Sequence, residues 1–226
     1  MRTPGSDEEL ARGFLFTEGM IRRADDVLSI SRPDGLAGDE AGNVLSIELG
    51  SSLVKLGVAQ RSFYASSSCG VCGKTSIASL KISARPIASP LVISRRVLAV
   101  LPDRLREAQA LFSATGGLHA AGLFNAAGEL LAAREDVGRH NALDKMVGWA
   151  LVHGRLPLTE GVLMVSGRVS YEILQKAIAA GLPVVAAVSA PSSLAVELAE
   201  RFGVTLIGFL RGLEMNVYAH AERIVE

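Results

Sequence analysis

Cys69 and Cys72 are the chain's two cysteines, separated by Gly70 and Val71. At that spacing the sulfurs can approach each other, and Gly70 and Gly73 let the backbone fold tightly around them. Lys74 adds a nearby positive charge, which favours thiolate over thiol. Such a thiolate can attack the outer sulfur of a partner's persulfide and carry that atom away. The second cysteine could then resolve the intermediate by thiol–disulfide exchange. Two other chemistries use the same residue types. A closed zinc site needs four ligands, and His119, His140, His153 and His220 show no finger-like spacing. A thioredoxin-like redox pair opens a helix after a strand, whereas here Ser66-Ser67-Ser68 precede the pair and Gly73-Lys74-Thr75-Ser76 follow it. That composition predicts a mobile loop.

A second constellation runs Glu135-Asp136-Val137-Gly138-Arg139-His140-Asn141-Ala142-Leu143-Asp144-Lys145. It falls where a strand hands over to a helix, a favoured ligand location in open α/β sheets. Taken singly, Asp136 and Asn141 read as helix caps. Together, Arg139, His140, Asn141, Asp144 and Lys145 read as a site, because Asp144 and Lys145 lie one helical turn beyond His140 and Asn141. Two further strand-to-helix turns, Ser166-Gly167-Arg168 and Ser189-Ala190-Pro191-Ser192, offer hydroxyls and free N–H groups at helix starts. Arg168 is suited to bidentate phosphate pairing. Ser170 and Ser192 also read as simple caps. The turn Thr115-Gly116-Gly117-Leu118-His119 could join the same rim.

These groups need a scaffold, and the chain supplies one. Of 226 residues, 49% are hydrophobic and 20% charged, as in globular proteins with well-filled cores. Lys+Arg and Asp+Glu both number 23, so a strongly basic nucleic-acid footprint is absent. No apolar run reaches the roughly 20 residues of a membrane span, and the first residues lack a signal-peptide core. A cytoplasmic location is the expectation. The spacing predicts a helix over 7–18, with Ser6 as N-cap and Gly19 past its end. Strands are expected over 27–31, 44–49 and 61–65, with a Pro/Gly/Asp-rich connection at 33–42. A helix is expected over 102–114, a hairpin over 118–124 and 130–134, and a helix over 141–151. The last third alternates strand (161–165), helix (171–180), strand (183–188), helix (193–202) and strand (204–210), which argues for parallel strands with helical crossovers.

With those pieces in place, the chain closely resembles the FdhD family of sulfur carrier proteins required for formate dehydrogenase activity. The resemblance rests on Arg2-Thr3-Pro4-Gly5, Gly13-Phe14-Leu15-Phe16-Thr17-Glu18-Gly19, Cys69-Gly70-Val71-Cys72-Gly73, Thr115-Gly116-Gly117, the Glu135–Lys145 motif above, Ser166-Gly167-Arg168 and Gly208-Phe209-Leu210-Arg211-Gly212. It implies that Cys69 holds a persulfide received from a cysteine desulfurase, with Cys72 assisting. The sulfur would pass to the bis-molybdopterin guanine dinucleotide form of the molybdenum cofactor before its insertion into formate dehydrogenase. Phe209, Leu210, Arg211, Gly212, Leu213 and Glu214 would contact that cofactor, and Arg139, His140, Arg168 and Arg211 are candidates to meet its charges. The alternative is a non-catalytic cofactor-binding chaperone. The implied fold is α/β: a cytidine-deaminase-like mixed sheet with helices on both faces over residues 86–226, and a smaller β-rich N-terminal α+β region over 1–85 carrying the C-x-x-C loop. The implied assembly is a homodimer, with no resident zinc, nucleic acid or membrane. Deaminase chemistry does not come with that fold: the H-x-E of His220-Ala221-Glu222 follows the cysteines instead of preceding them, and Ser68 stands where a proline would. Relatives usually carry more residues ahead of the point matching Met1, so the expectation is either that a β segment is missing there or that the true start lies further upstream.

Overall fold

The computed structural model describes residues 1–38, 42–50 and 85–226. The expected strand at 61–65, the loop around Cys69 and Cys72, and Lys74 lie outside the described residues. Helix α1 (Asp7–Thr17) is followed by an antiparallel pair, β1 (Val27–Ser31) and β2 (Ser46–Leu49). After residue 85 come a short strand β3 (Ile93–Ser94), helices α2 (Arg95–Glu107) and α3 (Ala110–Thr115), and the hairpin β4 (His119–Phe124) and β5 (Leu130–Asp136). Then follow α4 (Arg139–Val152), β6 (Val162–Val165), α5 (Tyr171–Ala179), β7 (Val184–Ala187), α6 (Ser193–Phe202), β8 (Thr205–Arg211), β9 (Glu214–Ala219) and β10 (Ile224–Val225), the last paired with β3.

The main sheet is six-stranded and mixed, in the order β5-β4-β6-β7-β8-β9. Strands β6, β7 and β8 are parallel, and the flanking pairs β4–β6, β4–β5 and β8–β9 are antiparallel. Every residue of β6 and β7 is buried, as continuous apolar runs demand when both sheet faces are covered. One face packs Leu123, Leu163, Val185 and Leu206 against α4, α5 and α6. The other packs Phe124, Met164, Ala186 and Ile207 against Leu98, Leu101 and Leu105 of α2. Helices therefore cover both faces, and the βαβαβ run stands where the sequence placed it.

Some local expectations are corrected. The helix expected over 102–114 begins earlier, at Arg95, where the Arg96 N–H donates to the Ser94 Oγ (3.1 Å) as an N-cap. Pro102 lies inside this helix rather than at its start, and the chain breaks between α2 and α3 at Ala108 and Gln109. The edge strand β9 was not anticipated at all. Its exposures barely alternate, so the period-2 signal that marks a half-buried strand is weak there.

Helix α1 forms a further layer outside α4. Gly13 and Gly148 set that contact: a Cβ on Gly13 would stand 1.8 Å from the Asp144 carbonyl oxygen, and one on Gly148 would stand 1.8 Å from the Glu9 carbonyl oxygen. Only glycines let the two backbones touch. Arg134 of β5 locks the crossing with a bidentate pair to Glu9 (2.5 and 2.7 Å). Ser6 precedes α1 in a left-handed conformation (φ 53°) and forms no side-chain cap, unlike the expectation.

Candidate functional site

Because β6, β7 and β8 run parallel, their C-terminal ends share one edge of the sheet. Strand β4 is antiparallel to β6, so its first residue, His119, comes to that same edge, opposite Asp136 at the end of β5. Helix α4 starts immediately afterwards, which brings Arg139 and His140 there. The turn after β6 adds Gly167 and Arg168, the turn after β7 adds residues 189–192, and the β8–β9 connection adds residues 209–214. Most of the candidate residues thus converge on one rim, the end of an open α/β sheet where ligands bind.

Gly167 is the point at which these pieces meet. A Cβ at that position would lie 3.1 Å from His119 Nδ1 and 3.8 Å from Arg139 Cδ, so the histidine ring and the arginine stem flank the bare turn. Burial pushes His119 below the ordinary imidazole value, and the charges of Arg139, His140 and Arg168 push it the same way. Its neutral form dominates at neutral pH. His140 Nε2 lies 3.0 Å from Glu172 Oε2 and 3.3 Å from Ser170 Oγ, so α5 anchors the ring. Ser170 accordingly serves His140 instead of capping α5. Ser192 does cap, accepting from the Ala195 N–H (3.3 Å). Arg168 is exposed.

The segment 209–214 is a hairpin tip that projects past the neighbouring strand. Phe209 holds a left-handed backbone (φ 53°), costly for an aromatic residue, and its N–H donates to the Ser189 carbonyl (3.3 Å). Gly212 supplies the positive φ of the tip, and Arg95 donates to the Leu213 carbonyl (3.0 and 3.3 Å). Arg211, Glu214 and the side chains of Phe209 and Leu213 are exposed, whereas Leu210 is fully buried in the α2-side core.

The Glu135–Lys145 motif divides between two tasks. Arg139 and His140 face the rim. Glu135 accepts the Leu111 and Phe112 N–H groups (2.9 and 2.7 Å) and so caps α3. Asp136 accepts the Gly138 N–H and Asn141 Nδ2 on one oxygen (2.9 and 3.0 Å) and the Thr3 N–H on the other (2.9 Å), and pairs with Lys145 Nζ at 2.8 Å. Lys145 also donates to the Thr3 carbonyl (2.9 Å), and Asn141 to that of Met1 (3.1 Å). These three side chains clasp the N-terminal segment. Asp144 turns into a buried cluster under α1: Lys176 Nζ meets both its oxygens (3.0 and 2.9 Å), and Thr17 Oγ1 donates to Oδ1 (2.8 Å). Burial works against the Lys176 ammonium, but Asp144 and Glu18 outweigh it and hold its pKa above the ordinary lysine value. Asn141, Asp144 and Lys145, grouped with the site from sequence, therefore belong to the packing of α1 and the N-terminal segment. In sequence His119 stands out only as the end of the Thr115–His119 turn and as one of four histidines without zinc spacing; nothing local marks its place on the rim, because Gly167 and Arg168, beside it in the fold, lie almost fifty positions away.

Among the described residues no group of three or more His, Cys, Asp or Glu side chains forms a metal-ligand set. Among the same residues no helix is long and apolar enough to cross a membrane.

Comparison with known proteins places this arrangement in context. The profile described as FdhD/NarQ family matches residues 1–225. A protein of Mycolicibacterium paratuberculosis named sulfur carrier protein FdhD is 54% identical, covering 99% of this chain and 84% of that protein. A protein of the same name from Saccharolobus solfataricus is 46% identical, covering 99% and 82%. Among solved structures, one from Desulfotalea psychrophila described as a formate dehydrogenase accessory protein superposes with a TM-score of 0.73 at 26% identity, over 100% of this chain and 82% of that one. With a profile match across nearly every residue and relatives at about half identity, the chain belongs to the FdhD/NarQ family.

Proposed function

We propose that this chain is a sulfur carrier for the molybdenum cofactor, with Cys69 as the atom-bearing residue. The observation that carries the reading is whole-chain similarity to proteins named as sulfur carriers. The Cys69 thiolate attacks the outer sulfur of a cysteine desulfurase persulfide. The donor S–S bond breaks, a thiolate returns to the donor, and a new S–S bond forms at Cys69 with no net redox change. The Cys72 thiolate then attacks Cys69 Sγ. The outer sulfur leaves as hydrosulfide toward the cofactor, and the Cys69–Cys72 disulfide left behind is reduced by an external dithiol. The receiving cofactor is bis-molybdopterin guanine dinucleotide, bound as substrate and destined for formate dehydrogenase. Arg139, Arg168 and Arg211 meet its phosphates, His140 is held ready by Glu172, and the 209–214 tip lies alongside with Phe209 exposed. The same proposal includes a homodimer, a cytoplasmic setting, a cytidine-deaminase-like topology for residues 86–226 and an N-terminal α+β region over 1–85 that carries the C-x-x-C loop, with its first helix docked on α4.

Incubation with a desulfurase and cysteine should add one sulfur, about 32 Da for a persulfide. Cys69→Ala should gain none, and Cys72→Ser should load but release sulfide only with added dithiol. Equal loading of Cys69→Ala would refute the assignment. A Cys69→Ala/Cys72→Ala double variant that still supports formate dehydrogenase maturation would make the protein a cofactor-binding chaperone instead.

A further inference from the structure

Two rungs join α4 to α5. On α4, His140 and Asp144 stand one helical turn apart, and on α5 so do Glu172 and Lys176. The rung at the rim is His140 Nε2 to Glu172 Oε2 at 3.0 Å, and the buried rung below it is Lys176 Nζ to Asp144 Oδ2 at 2.9 Å. The last turn of α1 closes on the buried rung. Thr17 Oγ1 donates to Asp144 Oδ1 (2.8 Å) and accepts from Lys176 Nζ (2.9 Å), Glu18 adds a contact at 3.4 Å, and the Phe14 ring centroid lies 5.4 Å from the ammonium. As a source of stability such a cluster is a poor choice, because desolvation offsets most of the attraction between buried charges. Its directional bonds supply a single arrangement instead, and the seam between α1 and α4 calls for one. Gly13 and Gly148 meet backbone to backbone, which fixes where the helices touch but gives no side-chain ridge to set how they cross. The apolar contacts of Leu15, Phe16 and Ile21 with Leu151 are non-directional. The crossing angle therefore falls to polar groups one turn to either side of Gly13: Glu9 with Arg134, and Thr17 with the buried rung.

We propose that Lys176 and Asp144 are positioning residues for sulfur delivery: their rung sets the angle of α1 on α4 and so holds the N-terminal layer in one relation to His140 and the rim. That angle has leverage. Helix α1 has 11 residues, about 16 Å of length, with Gly13 near its middle. A pivot of about 10° there moves each end by about 1.4 Å, and the strands beyond by more. Strands β1 and β2 pack against the end of α1 through Val27, Ile30, Ile47 and Leu49. At the close of β2 the Gly50 N–H donates to the Asp26 carbonyl (3.0 Å), which tethers the chain that runs on to Cys69 and Cys72. A misplacement of about 1 Å between reacting groups is enough to cost about a hundredfold in rate. Loading needs only the cysteine and its sulfur donor, whereas delivery needs the two layers in register. The inference rests on the carrier reading above.

The test compares wild type, Lys176→Met/Asp144→Leu and Thr17→Val as full chains. Spin labels at Leu28→Cys on β1 and Glu197→Cys on α6, both exposed, report the angle by double electron–electron resonance. Those samples carry Cys69→Ala/Cys72→Ala and are diluted with unlabelled chain. Wild type should give one narrow distance, and the double variant should broaden or shift it by about 2 Å or more, with a thermal midpoint near wild type. With both cysteines present, persulfide loading by a desulfurase and cysteine, read by mass, should match wild type in the double variant. The formate dehydrogenase activity it restores to cells lacking this chain should fall about ten- to a hundredfold. Thr17→Val keeps the charged pair and removes one bond across the seam, so it should fold and show smaller changes of the same kind. It carries the test if the double variant does not fold. An unchanged distance in the folded variants, full delivery despite an altered distance, or loading lost together with delivery would overturn the inference. An altered distance with normal loading and normal delivery removes this inference alone, whereas wild type that fails to load removes the carrier reading whatever the distances show.

Discussion

Replacing Lys176 by Met should destabilise the fold severely, and the cluster it leaves shows why. Lys176 Nζ holds both Asp144 oxygens at 3.0 and 2.9 Å, meets Thr17 Oγ1 at 2.9 Å, and reaches Glu18 at 3.4 Å. Lys176, Asp144 and Thr17 are 4%, 2% and 4% exposed. Methionine of similar length removes the ammonium and leaves a buried carboxylate with one hydroxyl donor. Breaking such a pair from one side costs about 3–5 kcal/mol. At about 2–4 °C per kcal/mol for a chain of this size, the midpoint should drop by about 6–20 °C. Lys176→Met/Asp144→Leu removes both charges and should recover most of the loss, because a well-packed apolar pair often matches a buried ion pair. The pH dependence has a definite sign. A lysine held above its usual pKa contributes fully below about pH 10 and loses that contribution only as pH rises through its folded value, so an alkaline stability decline in wild type should be smaller in Lys176→Met. Scanning calorimetry and urea titration provide the readout, with a double-mutant cycle isolating the coupling. A single variant that loses under about 1 kcal/mol, or a double variant no better than the sum of its singles, would refute the reasoning.

Two further outcomes follow from the geometry. Gly148→Ala should lower stability by about 1–3 kcal/mol despite alanine's better helix propensity, because its methyl would meet the Glu9 carbonyl at 1.8 Å; urea unfolding checks this, and a neutral or stabilising result would contradict the backbone contact between α1 and α4. His119 is held neutral in the folded state, so its contribution is present above about pH 6.5 and lost as pH falls through its lower folded value. His119→Gln should therefore flatten the decline of the thermal midpoint on mild acidification, and an unchanged slope would show that the imidazole is not perturbed.

Much of the scaffold was legible because its signals are local. The apolar runs of β6 and β7 and the helices between them carry their pattern within a few residues, and the Ser192 cap can be read directly. The misreadings share a cause, which is dependence on distant partners. Pro102 looks like a helix start unless Ser94 is known to cap the preceding turn. Asp144 and Lys145 look like site residues because charge on a polar motif normally means solvent or ligand; nothing near them reveals that Thr17, Lys176 and Thr3 cover them. Gly13 and Gly148 are silent in sequence, since close approach belongs to the pair. The rim was only half visible for the same reason: Arg139 and Arg168 stand out by type, but their meeting at Gly167 and His119 depends on sheet order.

The glycine contact between α1 and α4 has a thermodynamic meaning for the rim. Arg139 and His140 sit on the first turn of a helix whose far side is held backbone to backbone, by an Arg–Glu fork and by two buried ion pairs. The conformational entropy of orienting that turn is therefore spent during folding rather than at each encounter with a ligand. An anion arriving at the rim meets a floor already set, and the affinity it gains there need not be divided with the ordering of α4.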